Sequence, residues 1–221
     1  MINEFLNRNR HKIVFGLKWT SIIFTTVVLG VFVWGHFIGQ MPDPLLAVTI
    51  LIFASIVFPF FIMTVGTIQE FFVFRKTYML FNHYPFSELA KFGFKKAFAN
   101  ENSKWTMTQL KLEGQFNGYP IETELEKTKF KFIALVNLDK ISKNHLKHLN
   151  REIGEGKIEM EWFGVALTYN LSRGRVISIE QIINDLKRMT DYLKSENLQA
   201  ASESGSSISL IRGRWASKAN E

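Results

Sequence analysis

Residues 19–69 read WTSIIFTTVVLGVFVWGHFIGQMPDPLLAVTILIFASIVFPFFIMTVGTIQ, and this stretch decides the fold. Residues 19–42 hold no Asp, Glu, Lys or Arg, and neither do residues 44–69; Asp43 alone separates them. A helix of about 20 apolar residues crosses the hydrocarbon core of a bilayer, so each run is long enough to span. The expectation is a two-helix transmembrane hairpin with spans at 15–37 and 45–68, inside an N-terminal segment 1–69. Neither run reads as a cleaved signal. The first is too long for a signal-peptide apolar region, and Trp34, Phe37 and a second run follow it in place of a small-residue cleavage pattern.

Outward from the hairpin, the flanks set an orientation. Residues 1–18 carry Arg8, Arg10, Lys12 and Lys18 against Glu4, the turn HFIGQMPDP carries no Lys or Arg, and Arg75, Lys76, Lys91, Lys95 and Lys96 follow the second run. Basic residues stay on the cytoplasmic side, so both termini are expected in the cytoplasm, in a protein of bacterial inner-membrane type. Lys18 is read as snorkelling to the headgroups, with Trp19 and Trp34 about one span apart as interfacial aromatics. The net charge of +7 is otherwise a mild excess, more suited to solubility or anionic lipid than to nucleic acid.

Inside the hairpin, Ser21 and Thr25 form one row of small residues, and Thr26 and Gly30 an adjacent row, each at i, i+4 spacing. Small residues let helices approach closely in lipid. The two rows read as packing against the second span, with a homo-oligomeric contact or a pore lining as the sharper alternative. Pro59 removes a backbone hydrogen bond and clashes with the carbonyl of Ser55, which predicts a kink near Ser55–Pro59, fixed or hinging. His36 reads as a solvated interfacial histidine.

Beyond the hairpin, residues 70–102 read as a helical juxtamembrane connector. The second helix continues to about Asn82, Pro85 breaks it, and Ser87 caps a short helix bearing Leu89, Phe92 and Phe94. Residues 103–197 read as a small cytoplasmic α+β domain of order β-β-β-α-β-α, a mostly antiparallel sheet with helices on one face. Its strands are KWTMTQLKLEGQF, YPIETELEK, KFKFIALVNL and KIEMEWFGVALTYN, the last with a bulge near Phe163–Gly164. Asn117-Gly118 predicts a tight hairpin between the first two, and Phe130, Phe132 and Ala134 against Ile133 and Leu135 predict a central third strand. Ser142 caps a helix running to Ile153, and Ile179, Ile182, Ile183, Leu186, Met189 and Leu193 form the stripe of a final amphipathic helix. Residues 198–221, rich in Ser and Ala, read as a disordered tail whose Ile208–Trp215 segment could touch membrane or a partner.

Chemistry is sparse. Cysteine is absent, which excludes disulfides, thiolate nucleophiles and Cys-ligated metals. His145 and His148 share a helix face without an HExxH context, and Lys143, Lys147 and Arg151 disfavour a cation beside them. Glu122, Glu124 and Glu126 alternate on one strand and read as a charged outer face rather than an acid–base pair. Gly154-Glu155-Gly156 lacks phosphate-loop spacing, and Ser172–Arg175 reads as a connection. No cofactor, metal or nucleic-acid partner is expected, and no small-molecule ligand can be named.

The leading expectation is a non-enzymatic membrane anchor whose cytoplasmic domain mediates protein interaction or self-assembly. Its partners are the lipid bilayer and either further copies of the chain or a membrane protein complex. The alternative is a ligand-sensing effector whose hairpins oligomerise to form a pore or disrupt the bilayer. A membrane-surface enzyme using the Glu122–Glu126 row with His145 and His148 is the third.

Overall fold

The computed structural model describes residues 1–40, 42–137, 151–153, 156–161, 164–171 and 177–201. These residues form two long apolar helical segments, an antiparallel sheet and a C-terminal helix. The described chain divides into two compact units. One holds Met1–Arg75 with Asn100–Thr108, and the other holds Lys76–Ala99 with the described residues from Gln109 on.

In the first unit, α1 spans Ile2–Phe37, starting well before the expected span. The second helical rod begins at α2 (Pro44–Ile52), where Asp43 caps the start by accepting from the Leu45 N–H at 2.9 Å and Pro44 occupies the first turn. A π-helical turn, Phe53–Val57, separates α2 from α3 (Phe58–Asn82). Pro59 is buried just beyond it, and the Phe58 N–H reaches back to the Phe53 carbonyl. The perturbation falls beside Pro59, in the form of a widened turn.

Both helical segments are long and apolar enough to cross a membrane. Their most apolar windows are 0% and 11% buried within the protein, whereas the core helix of a soluble protein is mostly buried. Where the two meet, they pack through Phe24 on Phe58 (ring centroids 4.8 Å) and through Gly16, where a Cβ would lie 2.6 Å from the Met63 methyl.

The second unit departs from the expected order β-β-β-α-β-α. Its described residues form seven strands, arranged β1-β2-β3-β4-β7-β6-β5, with every neighbouring pair antiparallel. Strand β1 (Lys95–Ala99) lies where the helical connector was expected. The helix before it is a 3₁₀ turn, Phe86–Phe92, without a Ser87 side-chain cap; it ends at Gly93. Strand β2 (Gln109–Phe116) starts later than read from Lys104, and β3 (Tyr119–Glu126) and β4 (Lys129–Leu135) follow. The Asn117-Gly118 turn forms as its sequence predicts, both residues having positive φ (50° and 88°). Strand β4 lies at the centre of the sheet, also as predicted.

Past β4, the helix read as ending at Ile153 meets a different outcome: Arg151–Ile153 is strand β5, paired with β6 (Gly156–Glu161). Residues 142–150 lie outside the described chain. The expected bulge near Phe163–Gly164 is instead a strand reversal, since β7 (Gly164–Asn170) runs back along β6 with Glu161 opposite Gly164. A β-carbon at Gly164 would collide with the Ala134 carbonyl oxygen, so only glycine allows this close approach of β7 to β4.

Helix α4 (Ile179–Ser195) is capped by Ser178, which accepts from the Gln181 N–H at 3.2 Å. It buries Ile179, Ile182, Leu186, Met189 and Leu193 of the predicted stripe, and Ile183 is half-buried. Phe81, Phe86, Phe130, Phe132 and Tyr169 form a chain of ring contacts in the core of this unit. The first residues of the expected tail are ordered: Ala200 bridges to Val136, and Tyr119 Oη donates to the Leu198 carbonyl at 2.8 Å. Residues 202–221 lie outside the described chain.

Candidate functional site

The most elaborate polar arrangement of the helical unit joins α1 to the loop 100–108. Phe5, Asn9 and Lys12 lie at i, i+4 and i+7 on α1 and so share one face. Phe5 packs against Phe71 and Phe74 of α3, with ring centroids 5.5 and 5.4 Å away. Asn9 Oδ1 accepts from the Thr108 N–H at 2.7 Å, and its Nδ2 donates to the Phe5 carbonyl at 3.0 Å. Lys12 is 2% exposed. Its ammonium donates to the carbonyls of Asn100 and Thr106 (2.9 Å for the latter) and to Thr108 Oγ1 at 2.8 Å.

Three oxygens thus match the three protons of the ammonium, which is what a buried cation requires. None of them is ionised, and burial pushes the lysine below its ordinary value of 10.5, with the Glu101 carboxylate opposing the shift. Arg8 adds an ion pair to Glu101 at 2.5 Å. The loop keeps its shape through Ser103 Oγ, which accepts from the N–H groups of Trp105 (3.2 Å) and Thr106 (3.0 Å).

This loop carries Trp105 to α1. Its ring lies 4.7 Å from Phe15 and 6.1 Å from Trp19, yet the residue is 70% exposed. On α1 itself, Asn7, Arg10, His11, Val14, Phe15 and Lys18 line an open groove, and Phe15 is common to groove and aromatic cluster. The basic N-terminal cluster is therefore of two kinds. Lys12 is buried and spent on the loop, while Arg10 and Lys18 are exposed.

The packing candidates also separate. Thr25 Oγ1 donates to Ser55 Oγ at 2.8 Å, joining α1 to the π-helical turn. Thr26 instead bonds the Ile22 carbonyl of its own helix, and a Cβ at Gly30 would meet nothing within 4 Å. Ser21 is half-buried, and Pro59 is buried. Ser21, Thr25, Ser55 and Pro59 thus belong to partly or fully buried surface, while Thr26 and Gly30 face outward.

On the sheet, Glu122 and Glu126 of the glutamate row are engaged in ion pairs. Lys111 meets Glu122 at 2.9 Å, with side chains only 8% and 6% exposed. Lys131 lies 2.9 Å from Glu126 and 2.7 Å from Glu161. Burial alone would lower the Lys131 pKa; the hydrogen bonds to the two carboxylates outweigh it and raise it above the ordinary value. Those contacts hold Glu126 below the usual carboxylate range, and Lys157 does the same for Glu159 against the desolvation of that carboxyl. The charged face read from the alternation is present, but Glu122 is buried within it.

Among the described residues, no group of three or more His, Cys, Asp or Glu could hold a metal. His145, His148 and Ser172–Arg175 lie outside the described residues. Sequence reasoning missed the roles of Asn9, Lys12, Gly16, Trp105 and Thr108. Only the i, i+4, i+7 placement of Phe5, Asn9 and Lys12 gave any sign, because nothing local names a partner 96 or 99 residues away. Comparisons with protein-family models, with curated proteins and with solved structures each return no match.

Proposed function

We propose that the chain is a non-enzymatic membrane anchor: its two helical segments cross a bilayer, both termini lie in the cytoplasm, and the α+β unit binds a protein partner or another copy of the chain. The observation that carries this reading is the uncovered apolar surface of the helices. Val31, Trp34, Phe37, Leu45, Ile56 and Phe60 are all exposed, along with most of their neighbours. An apolar surface of that extent exceeds what monomeric soluble proteins leave in water, and lipid or other helices must cover it.

The test is crosslinking of the full chain in its native membranes, followed by purification and native mass measurement. The expected result is a discrete species heavier than the 25.6 kDa chain. A single chain under all crosslinking conditions overturns the interaction role.

A second reading, hairpins that oligomerise into a pore or disrupt the bilayer, is favoured by the outward Thr26 and Gly30 and by the π-helical turn, a feature frequent at functional sites. It requires expression to cause ion leakage that Thr26→Val/Gly30→Leu abolishes. An intact membrane potential at high expression, with and without stimuli, removes it.

A further inference from the structure

A partner-binding α+β unit makes no use of the groove on α1 or of the Trp105 loop. We propose that together they form a binding site for the phosphate-bearing headgroup of an anionic phospholipid. The proposal rests on the reading that the helices cross a membrane, and it adds a lipid class and the residues that recognise it.

Three observations converge. First, Arg10, His11 and Lys18 line one groove with Asn7, while Val14 and Phe15 supply apolar wall. Two permanent cations, an imidazole and an amide suit a phosphodiester, and the apolar wall suits the glycerol and upper acyl carbons. Second, the groove ends at Lys18, where the uncharged run begins, so its charges fall at headgroup depth. Third, Trp105 is brought to the same helix by a loop secured through Lys12 and Asn9, and it is left 70% exposed against Phe15 and Trp19. An exposed tryptophan costs free energy in water but suits a bilayer interface, where its apolar ring and polar N–H both find partners. Lys12 itself takes no part in the charge recognition, since its three donors are occupied.

The occupant is a lipid rather than free phosphate because Val14 and Phe15 line the groove together with the cations, and Phe15 in turn meets Trp19 and Trp105. A free ion would use only the polar half.

The full chain, purified in mild detergent, is titrated with dioctanoyl phosphatidylglycerol, dioctanoyl phosphatidylcholine and sodium phosphate, and bound lipid is counted by native mass spectrometry. Phosphatidylglycerol is expected to bind at least tenfold tighter than phosphatidylcholine, and phosphate to compete only weakly. Arg10→Gln/Lys18→Gln should weaken phosphatidylglycerol about twenty-five-fold, from about fivefold per basic residue at a lipid surface. Trp105→Ser should weaken both lipids. Lys187→Gln/Lys194→Gln, the same charge change on exposed positions of α4, should leave binding unchanged.

Equal binding of the two lipids overturns the proposal, as does equal loss in the α4 control or full competition by phosphate. Carbonate extraction separates the two levels. A chain that washes off membranes fails the membrane reading itself, whereas one that stays embedded without lipid preference fails only this inference.

Discussion

Lys12 and Arg8 sit one turn apart on α1, both reach the loop 100–108, and they should differ sharply in what they contribute. Arg8 and Glu101 are 35% and 51% exposed, so their pair is worth less than about 1 kcal/mol. Lys12 is buried, and Lys12→Met would leave three oxygens short of a donor, costing about 3 kcal/mol of loop stability. The loop contains the exposed Lys104, a trypsin site. Tryptic cleavage at Lys104 should accelerate roughly a hundredfold in Lys12→Met and only a fewfold in Arg8→Gln. Equal acceleration would show that the ammonium does not hold the loop.

The ion pairs of the sheet set a pH window. Glu126 and Glu159 have folded pKa values below the ordinary 4.5, so their contribution is fully present above 4.5 and is lost as pH falls through the lowered values. Lys131 is raised above 10.5, so its contribution holds below 10.5 and is lost as pH climbs through the raised value. Amide exchange protection of β3, β4 and β6 should be flat between these limits and fall outside them. Lys131→Met should blunt the acid limb by releasing Glu126.

Among the elements, β7 depends on one glycine. Gly164→Ala would drive a methyl into the Ala134 carbonyl on the central strand, and the expected cost is about 2–4 kcal/mol, read as a lowered denaturant midpoint of the sheet. Unchanged stability would mean the two strands can separate locally.

How far these elements were legible in the sequence depends on their local chemistry. Asn117-Gly118 announced its hairpin because positive φ at both positions leaves few alternatives. The α4 stripe was legible from its 3.6-residue period. Strand β1 was not: Lys-Lys-Ala-Phe-Ala is short and compatible with a helix, and its pairing with β2 comes from residues ten or more positions away. The β6–β7 reversal was hidden because Trp162 and Phe163, between the paired Glu161 and Gly164, carry none of the usual turn chemistry. The hydroxyl rows were visible as a pattern, but which row pairs with Ser55 depends on helix rotation, which spacing alone leaves free.

For the molecule as a whole, the proposed membrane reading turns on which side of a bilayer each part occupies. The chain has no cysteine, so single introduced cysteines report without background. Gln40, in the turn between the helical segments, and Gln115, near the end of β2, are both exposed. A membrane-impermeant thiol reagent applied to intact cells should label Gln40→Cys and leave Gln115→Cys unlabelled until the membrane is opened. The opposite pattern would invert the proposed topology. The helices' apolar character was fully legible in the sequence because bilayer thickness sets a length that composition alone can meet. The aromatic loop at residue 105 was not, since it is built from segments far apart in the chain.

The π-helical turn gives the second helical rod one residue of slack. Each residue removed from a regular α-helix rotates everything beyond it by about 100°. A π turn is an α turn with one residue added, and the added residue leaves the facing of the later turns unchanged. With the ring clash removed by Pro59→Ala, deletion of the exposed Ile56 should anneal Phe53–Val57 into plain α-helix while Met63 and Phe74 still meet α1. Deletion of Ile62, beyond the turn, has no such reserve and should swing Phe74 away from Phe5. Of the whole rod, this one turn can therefore lose a residue without turning its far end to face the wrong way.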